Sequence, residues 1–311
     1  MSGALAPRIR VLERRRSFSP LGIRFWDAAF DVPVTDSLLV YAWLAGGGFP
    51  PVRAVRSGSG VYSFAALPGR REQELPAEGE EHPELAGPPQ EYAIAVDDPS
   101  GRWLPTAFSV TLPLGYRGEF LGASAASVPG PAGRAYLFSS PARPVPASAA
   151  AIRADLWDAD LDRPASWAVL RATVEGVTHT AVADEEGRAL LVLPVPSVDR
   201  LRLGSPPGSG QGAPAGNRWP VSVEVWYEPG ALRFPFAGRT DVDTAWPGRP
   251  SIKSVLDEQR AAQLWQEDGQ PPVDDHAAEL VYGEELVLRT LAAGGAALLP
   301  RLWISAAASP P

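Results

Sequence analysis

The sequence predicts a mainly β protein: two tandem Ig-like/transthyretin-like β-sandwich domains, then a C-terminal extension with one helix. Three observations carry this. Asp98-Pro99-Ser100-Gly101-Arg102 and Asp184-Glu185-Glu186-Gly187-Arg188 repeat one Asp-x-x-Gly-Arg pattern, once in each half of the chain. Each lies between runs rich in apolar and β-branched residues, so each reads as a hairpin turn in which Gly supplies a positive φ. The length of 311 residues suits two domains, and 34 Pro and 30 Gly suit frequent turns between short strands.

The elements follow in order. Residues 1–19 form a basic arm, with Arg8, Arg10, Arg14, Arg15 and Arg16 against one Glu. It reads as an unstructured tail or as an arm that docks on an acidic neighbour. Residues 20–116 form the first sandwich. Its strands are read at 22–26, 37–43, 60–67, 91–96 and 103–112, where apolar and β-branched residues cluster or alternate. A polar, Glu-rich excursion at 70–90 reads as a surface loop. Residues 117–149 are a Pro/Gly/Ser-rich, semi-rigid linker, with Ala135 to Phe138 pinned to a core. Residues 150–228 form the second sandwich, interrupted by a low-complexity stretch at 204–217. Residues 229–311 form no obvious domain. Pro250, the Ser254-x-x-Asp257 capping pattern and a partial apolar stripe place a helix at about 251–266. Strands are read at 279–290 and 299–305. This extension either wraps back on the sandwiches or reaches a partner, and its removal is expected to leave the sandwiches folded.

Composition narrows the chemistry. The net charge is −8, so nothing pulls the chain toward nucleic acid or anionic membrane. There is no Cys, hence no disulfide, thiolate metal site or thiol nucleophile. Lys253 is the single Lys, so no phosphate-binding Gly-rich loop with its Lys is available. No Gly-x-Ser-x-Gly elbow occurs, and the three His (His82, His179 and His276) do not form a triad or metal spacing. Asp158, Asp160 and Asp162 alternate like the start of a calcium loop. The positions that need Gly and Glu hold Arg163 and Val169, so an acidic turn is the stronger reading. The ten Trp read as core or subunit interface, or as platforms that stack on sugar rings. No apolar run is long enough for a signal segment or a membrane span, which predicts a cytoplasmic protein or one released within a particle.

Gly60-Val61-Tyr62-Ser63-Phe64 followed by Leu67-Pro68-Gly69 resembles the strand and turn of carboxypeptidase-regulatory-like domains, which are transthyretin-like or Cna-B-like sandwiches. Asp31 to Val40 resembles their opening strand, and Ala183 to Leu191 their Asp-x-x-Gly-Arg hairpin. Such domains are structural or adhesive, so the resemblance implies no catalytic residue and no cofactor. Over most of its length, from Phe25-Trp26-Asp27-Ala28 to Pro300-Arg301-Leu302-Trp303-Ile304, the chain resembles proteins encoded beside phage-tail-like contractile injection particles. That implies a non-enzymatic structural or assembly subunit whose partners are other protein subunits. Partner contacts are then expected from the basic arm and from Trp246, Trp265 and Trp303 of the extension. The alternative is a carbohydrate-binding or adhesive module.

Overall fold

The computed structural model describes residues 19–70, 88–112, 134–195, 218–281, 283–295 and 297–306. The basic arm, the Glu-rich loop at 71–87 and the low-complexity stretch at 204–217 lie outside the described residues.

The first sandwich uses Leu21–Ile23 (β1), Phe25–Asp27 (β2), Val32–Pro33 (β3), Leu39–Leu44 (β4), Val52–Arg53 (β5), Val55–Arg56 (β6), Tyr62–Phe64 (β7), Gln90–Asp97 (β8), Thr106–Leu112 (β9) and Ala135–Leu137 (β10). A four-stranded sheet, β5-β4-β8-β9, packs over two three-stranded sheets, β1-β7-β6 and β10-β2-β3. Ile23, Phe25, Phe64, Tyr92, Ile94 and Val96 fill the space between them. Alternation along a strand puts every second side chain in that core. The run read as one strand at 22–26 is divided at Arg24. β1 pairs antiparallel with β7, and β2 pairs parallel with β10. The linker residues Ala135 to Leu137 are therefore part of the first sandwich.

The second sandwich uses Ala149–Asp158 (β11), Arg163–Pro164 (β12), Val169–Val174 (β13), Val177–Val182 (β14), Arg188–Pro194 (β15) and Arg218–Trp226 (β16). After a helix, Ile252–Asp257 (α1), come Ala261–Leu264 (β17), His276–Val281 (β18), Glu285–Leu288 (β19) and Leu302–Ser305 (β20). All four late strands pair inside this sandwich. β18 lies beside β16, β19 and β20 lie beside β11, and β17 bridges β16 to β20. Leu264, Leu280, Leu288, Leu302 and Ile304 join its core, each at most 2% exposed.

Two expectations change here. The helix ends at Asp257 rather than near 266, because the next segment is taken up as a strand between β16 and β20. Ala262 and Leu264 face the core while Ala261 is exposed, a period of two. The second Asp-x-x-Gly-Arg segment is a corner between sheets rather than a hairpin, since β14 pairs with β13 and β15 with β11. The tight hairpin is β13–β14. Val174 pairs with Val177, and both turn residues have positive φ, Glu175 at 49° and Gly176 at 77°, as a two-residue mirror-image turn requires. At the corner, Gly187 has φ 78°, and a Cβ there would sit 2.4 Å from the Leu156 carbonyl oxygen. Only Gly fits so close a backbone approach. The first motif does join paired strands, β8 and β9.

Between β16 and β17 the chain leaves the second sandwich and crosses the first. Phe236 packs on Trp43, ring centroids 5.1 Å apart at 82°, and covers Ala93 and Ala95 on the outer face of the four-stranded sheet. Arg239 donates to the Leu44 carbonyl at 2.9 Å, and Ser251 bridges to Ala107 on β9. This strap explains why β8 is buried on both faces, whereas a sheet of this kind usually leaves one face wet.

Truncation after Glu228 removes both the strap and strands β17–β20. The five buried Leu and Ile residues contribute roughly 1.5–3 kcal/mol each. The truncated chain is expected to lose the cooperative thermal unfolding of the second sandwich, measured by circular dichroism and limited proteolysis. This reverses the expectation that the extension is dispensable for folding.

Candidate functional site

The two sandwiches meet along a seam built from three elements. Leu104, Tyr136 and Phe138 come from the first sandwich, Trp167, Val169 and Val182 from the second, and Val255 and Leu256 of α1 wedge between them. Beside this apolar cluster lies a buried ion pair. Arg143 of the linker donates to both oxygens of Asp27, at 3.1 and 2.6 Å, with side chains 3% and 6% exposed. Arg143 also donates to Ser139 Oγ at 2.9 Å and lies over the Trp103 ring at 4.2 Å. The planar guanidinium suits this use, offering two bonds to a carboxylate while its face stacks on an indole. Asp27 in turn accepts the Ala29 N–H at 2.8 Å. The linker is thus fixed on the first sandwich before β11 begins.

Gln259 performs a second clamp. Its Nε2 donates to the carbonyls of Trp167 and Val255, at 2.7 and 3.0 Å, and its Oε1 accepts the Glu228 N–H at 3.1 Å. One buried amide ties the end of α1 to the second sandwich and to the start of the strap. Nothing in the local sequence marks Gln259.

Alongside the seam a cleft of about 540 Å³ opens, lined by Pro105, Pro141, Trp167 and a set of charged side chains. Arg153 pairs with Glu285, and Arg188 pairs with Asp184 and Glu186. The Arg249 side chain makes no hydrogen bond or ion pair, with Nε and Nη1 buried and unpartnered. It lies over the Trp246 ring at 4.5 Å. Burial holds its pKa below the ordinary Arg value, against the raising effect of Asp97, Glu185 and Asp243.

The sequence-predicted residues are dispersed. Arg8, Arg10, Arg14, Arg15 and Arg16 lie outside the described residues. Trp246 is half-buried against Phe236 and Arg249. Trp265 is buried, beside Trp303, whose carbonyl accepts its N–H at 3.0 Å. Trp303 is half-buried, in register with Trp157 on β11. None of the ten Trp is exposed, and Arg134, Arg171 and Arg301 lie over the rings of Trp26, Trp226 and Trp157. Of the five half-buried indoles, Trp26, Trp157, Trp226 and Trp246 thus carry a guanidinium over the ring.

Asp158, Asp160 and Asp162 do not converge. Asp158, 1% exposed, accepts the N–H groups of Asp160 and Leu161, at 3.0 and 3.1 Å. Asp160 accepts the Ser305 hydroxyl, and Asp162 accepts the Trp157 indole N–H at 3.0 Å. Among the described residues no group of three His, Asp or Glu is placed to hold a metal. The Asp158 charge acts instead on Tyr227, whose phenol is pushed up to about 12, first by burial and then by that carboxylate.

No protein-family model and no curated protein matches the chain. Among solved structures, crystal structures of two mutants of the shaft pilin spaA from Lactobacillus rhamnosus GG are similar to it at 10% identity. One covers 70% of this chain and 90% of the pilin with a TM-score of 0.20. The other covers 68% and 89% with a TM-score of 0.18. At these scores the likeness carries no argument. No helix among the described residues is long and apolar enough to cross a membrane.

Arg143→Met leaves the Asp27 carboxylate buried and unpaired, which costs about 3–5 kcal/mol. Adding Asp27→Asn should return part of that loss, as read by a double-mutant cycle in urea. His179 and His276 occupy matching edges of one sheet, opposite Ala172 and Val223 respectively. Burial lowers the pKa of both, and Asp275 partly restores that of His276. The unfolded chain then takes up protons first. Stability should hold above pH about 6.5 and fall as pH drops below it. Urea midpoints across that range check this, and replacing both His by Gln should flatten the slope.

Proposed function

We propose that this chain is a non-enzymatic structural subunit that works through protein–protein contacts in a large assembly. We place that assembly among phage-tail-like contractile injection particles, on the sequence resemblance described above. The observation that supports a structural role is the seam. An apolar cluster, a buried ion pair and a strap running over both sandwiches hold them in one orientation. Independent modules on a flexible linker would need none of these. A fixed two-domain body suits a part whose task is to set the spacing and angle of its neighbours. The carbohydrate-binding reading gains no support from the Trp residues, since all ten are buried or half-buried.

The test is co-sedimentation. The tagged protein is expressed in its native host, large particles are pelleted, and companions are identified by mass spectrometry. Sheath and tube proteins in the same pellet, at fixed stoichiometry, are the expected result. A chain that remains a free monomer in the supernatant removes the particle reading.

A further inference from the structure

The cleft beside the seam holds charges that the fold leaves unused. Of its three cations, Arg153 and Arg188 are each spent on carboxylates of the chain itself. Arg249 has none. Its Nε and Nη1 are out of reach of solvent without a hydrogen-bond partner, so Nη2 is the nitrogen left for an incoming acceptor. Of the four carboxylates, Asp184 and Glu186 are engaged with Arg188. Glu185 and Asp155, both exposed, make no side-chain hydrogen bond or ion pair. The balance is one cation and two anions without a hydrogen bond or ion pair in the chain, lining one cleft with Trp167 and two prolines. A half-buried Arg without an acceptor is costly to maintain, and planar guanidinium groups recognise carboxylates with directional bonds. The volume lies within the range of ligand clefts, which favour domain interfaces.

We infer that this cleft binds an extended peptide segment of a partner protein, one that places an Asp or Glu side chain on Arg249 and a Lys or Arg side chain on Glu185 and Asp155. This rests on the reading that the chain acts through protein–protein contacts, and it names where one such contact is made. A purely acidic ligand meets repulsion from Glu185 and Asp155. A purely basic one leaves Arg249 unpaired. Only a segment carrying both signs satisfies all three groups. Trp167, Pro105 and Pro141 add apolar lining to the same cleft.

The test uses the purified full-length chain and short capped peptides that carry one Glu and one Arg at varied spacing. Each has a version with Glu replaced by Gln and a version with Arg replaced by Gln. Binding is read by calorimetry and by Trp fluorescence, with thermal melts of each protein variant alongside. The expected result is saturable binding of the mixed-charge peptides at some spacing. Arg249→Gln and Glu185→Gln should each weaken it about tenfold, the scale of one charge-assisted contact. Replacing the peptide's Glu should weaken binding to the wild type but not to Arg249→Gln. Glu185 lies on an exposed turn, so its variant keeps the test valid should Arg249→Gln loosen the strap. Absence of binding at every spacing overturns the inference. So does binding that neither substitution alters, or binding in which a single-sign peptide equals the mixed one. Particle association does not enter this assay. A chain absent from particles that still binds these peptides overturns the assembly reading alone, and a particle component that binds none overturns the cleft alone.

Discussion

The ion pair between Asp27 and Arg143 is the constraint on which the relation of the two sandwiches depends. It sits where the chain passes from one to the other, and both partners are nearly out of water. Such a pair adds little net stability over an apolar pair of the same shape, but it is intolerant of misplacement. A shift of the linker would strand one charge in a dry site. The bidentate geometry therefore specifies where β10 ends and how β11 sets out. Trp103 and Phe30 close over Arg143 and keep water away.

The strap acts on the same relation from the opposite side. It carries Phe236 onto Trp43 and then Val255 and Leu256 into the seam, so one segment contributes to two apolar clusters, one on the first sandwich and one shared by both. Ala151, Leu190 and Val192 add a third contact with Ala29 and Phe30. The seam cluster and this third contact both join residues of the two sandwiches. That coupling turns two modest domains into one body.

Much of the fold was legible in the sequence, because strands such as β4, β7 and β15 carry dense apolar and β-branched runs bounded by turn residues. The first Asp-x-x-Gly-Arg turn was read correctly, since Asp98 binds the N–H groups of Ser100, Arg102 and Trp103 locally. The second was misread for a physical reason. Asp184 makes similar local bonds, so the turn looks the same, yet strand partners are chosen by distant segments. The partial apolar stripe that ends in Leu264 carries the expected helix through β17; pairing with β16 and β20 overrides it. The cleft was not legible at all. Arg249 stands out by two buried guanidinium nitrogens without an acceptor, and that is a property of the folded arrangement. Gln259 is likewise unremarkable until backbone groups of Trp167 and Glu228 are brought to it.

The position of β20 has a consequence for synthesis. Leu302–Ser305 lies between β11 and β17, and its partner β11 was made some 150 residues earlier on the ribosome. Pairings so distant in sequence form late and slowly. The second sandwich thus lacks one of its strands until β20 has emerged. Until then the edges of β11 and β16 remain open to other strands. A nascent chain that has not yet made β20 would carry those open edges.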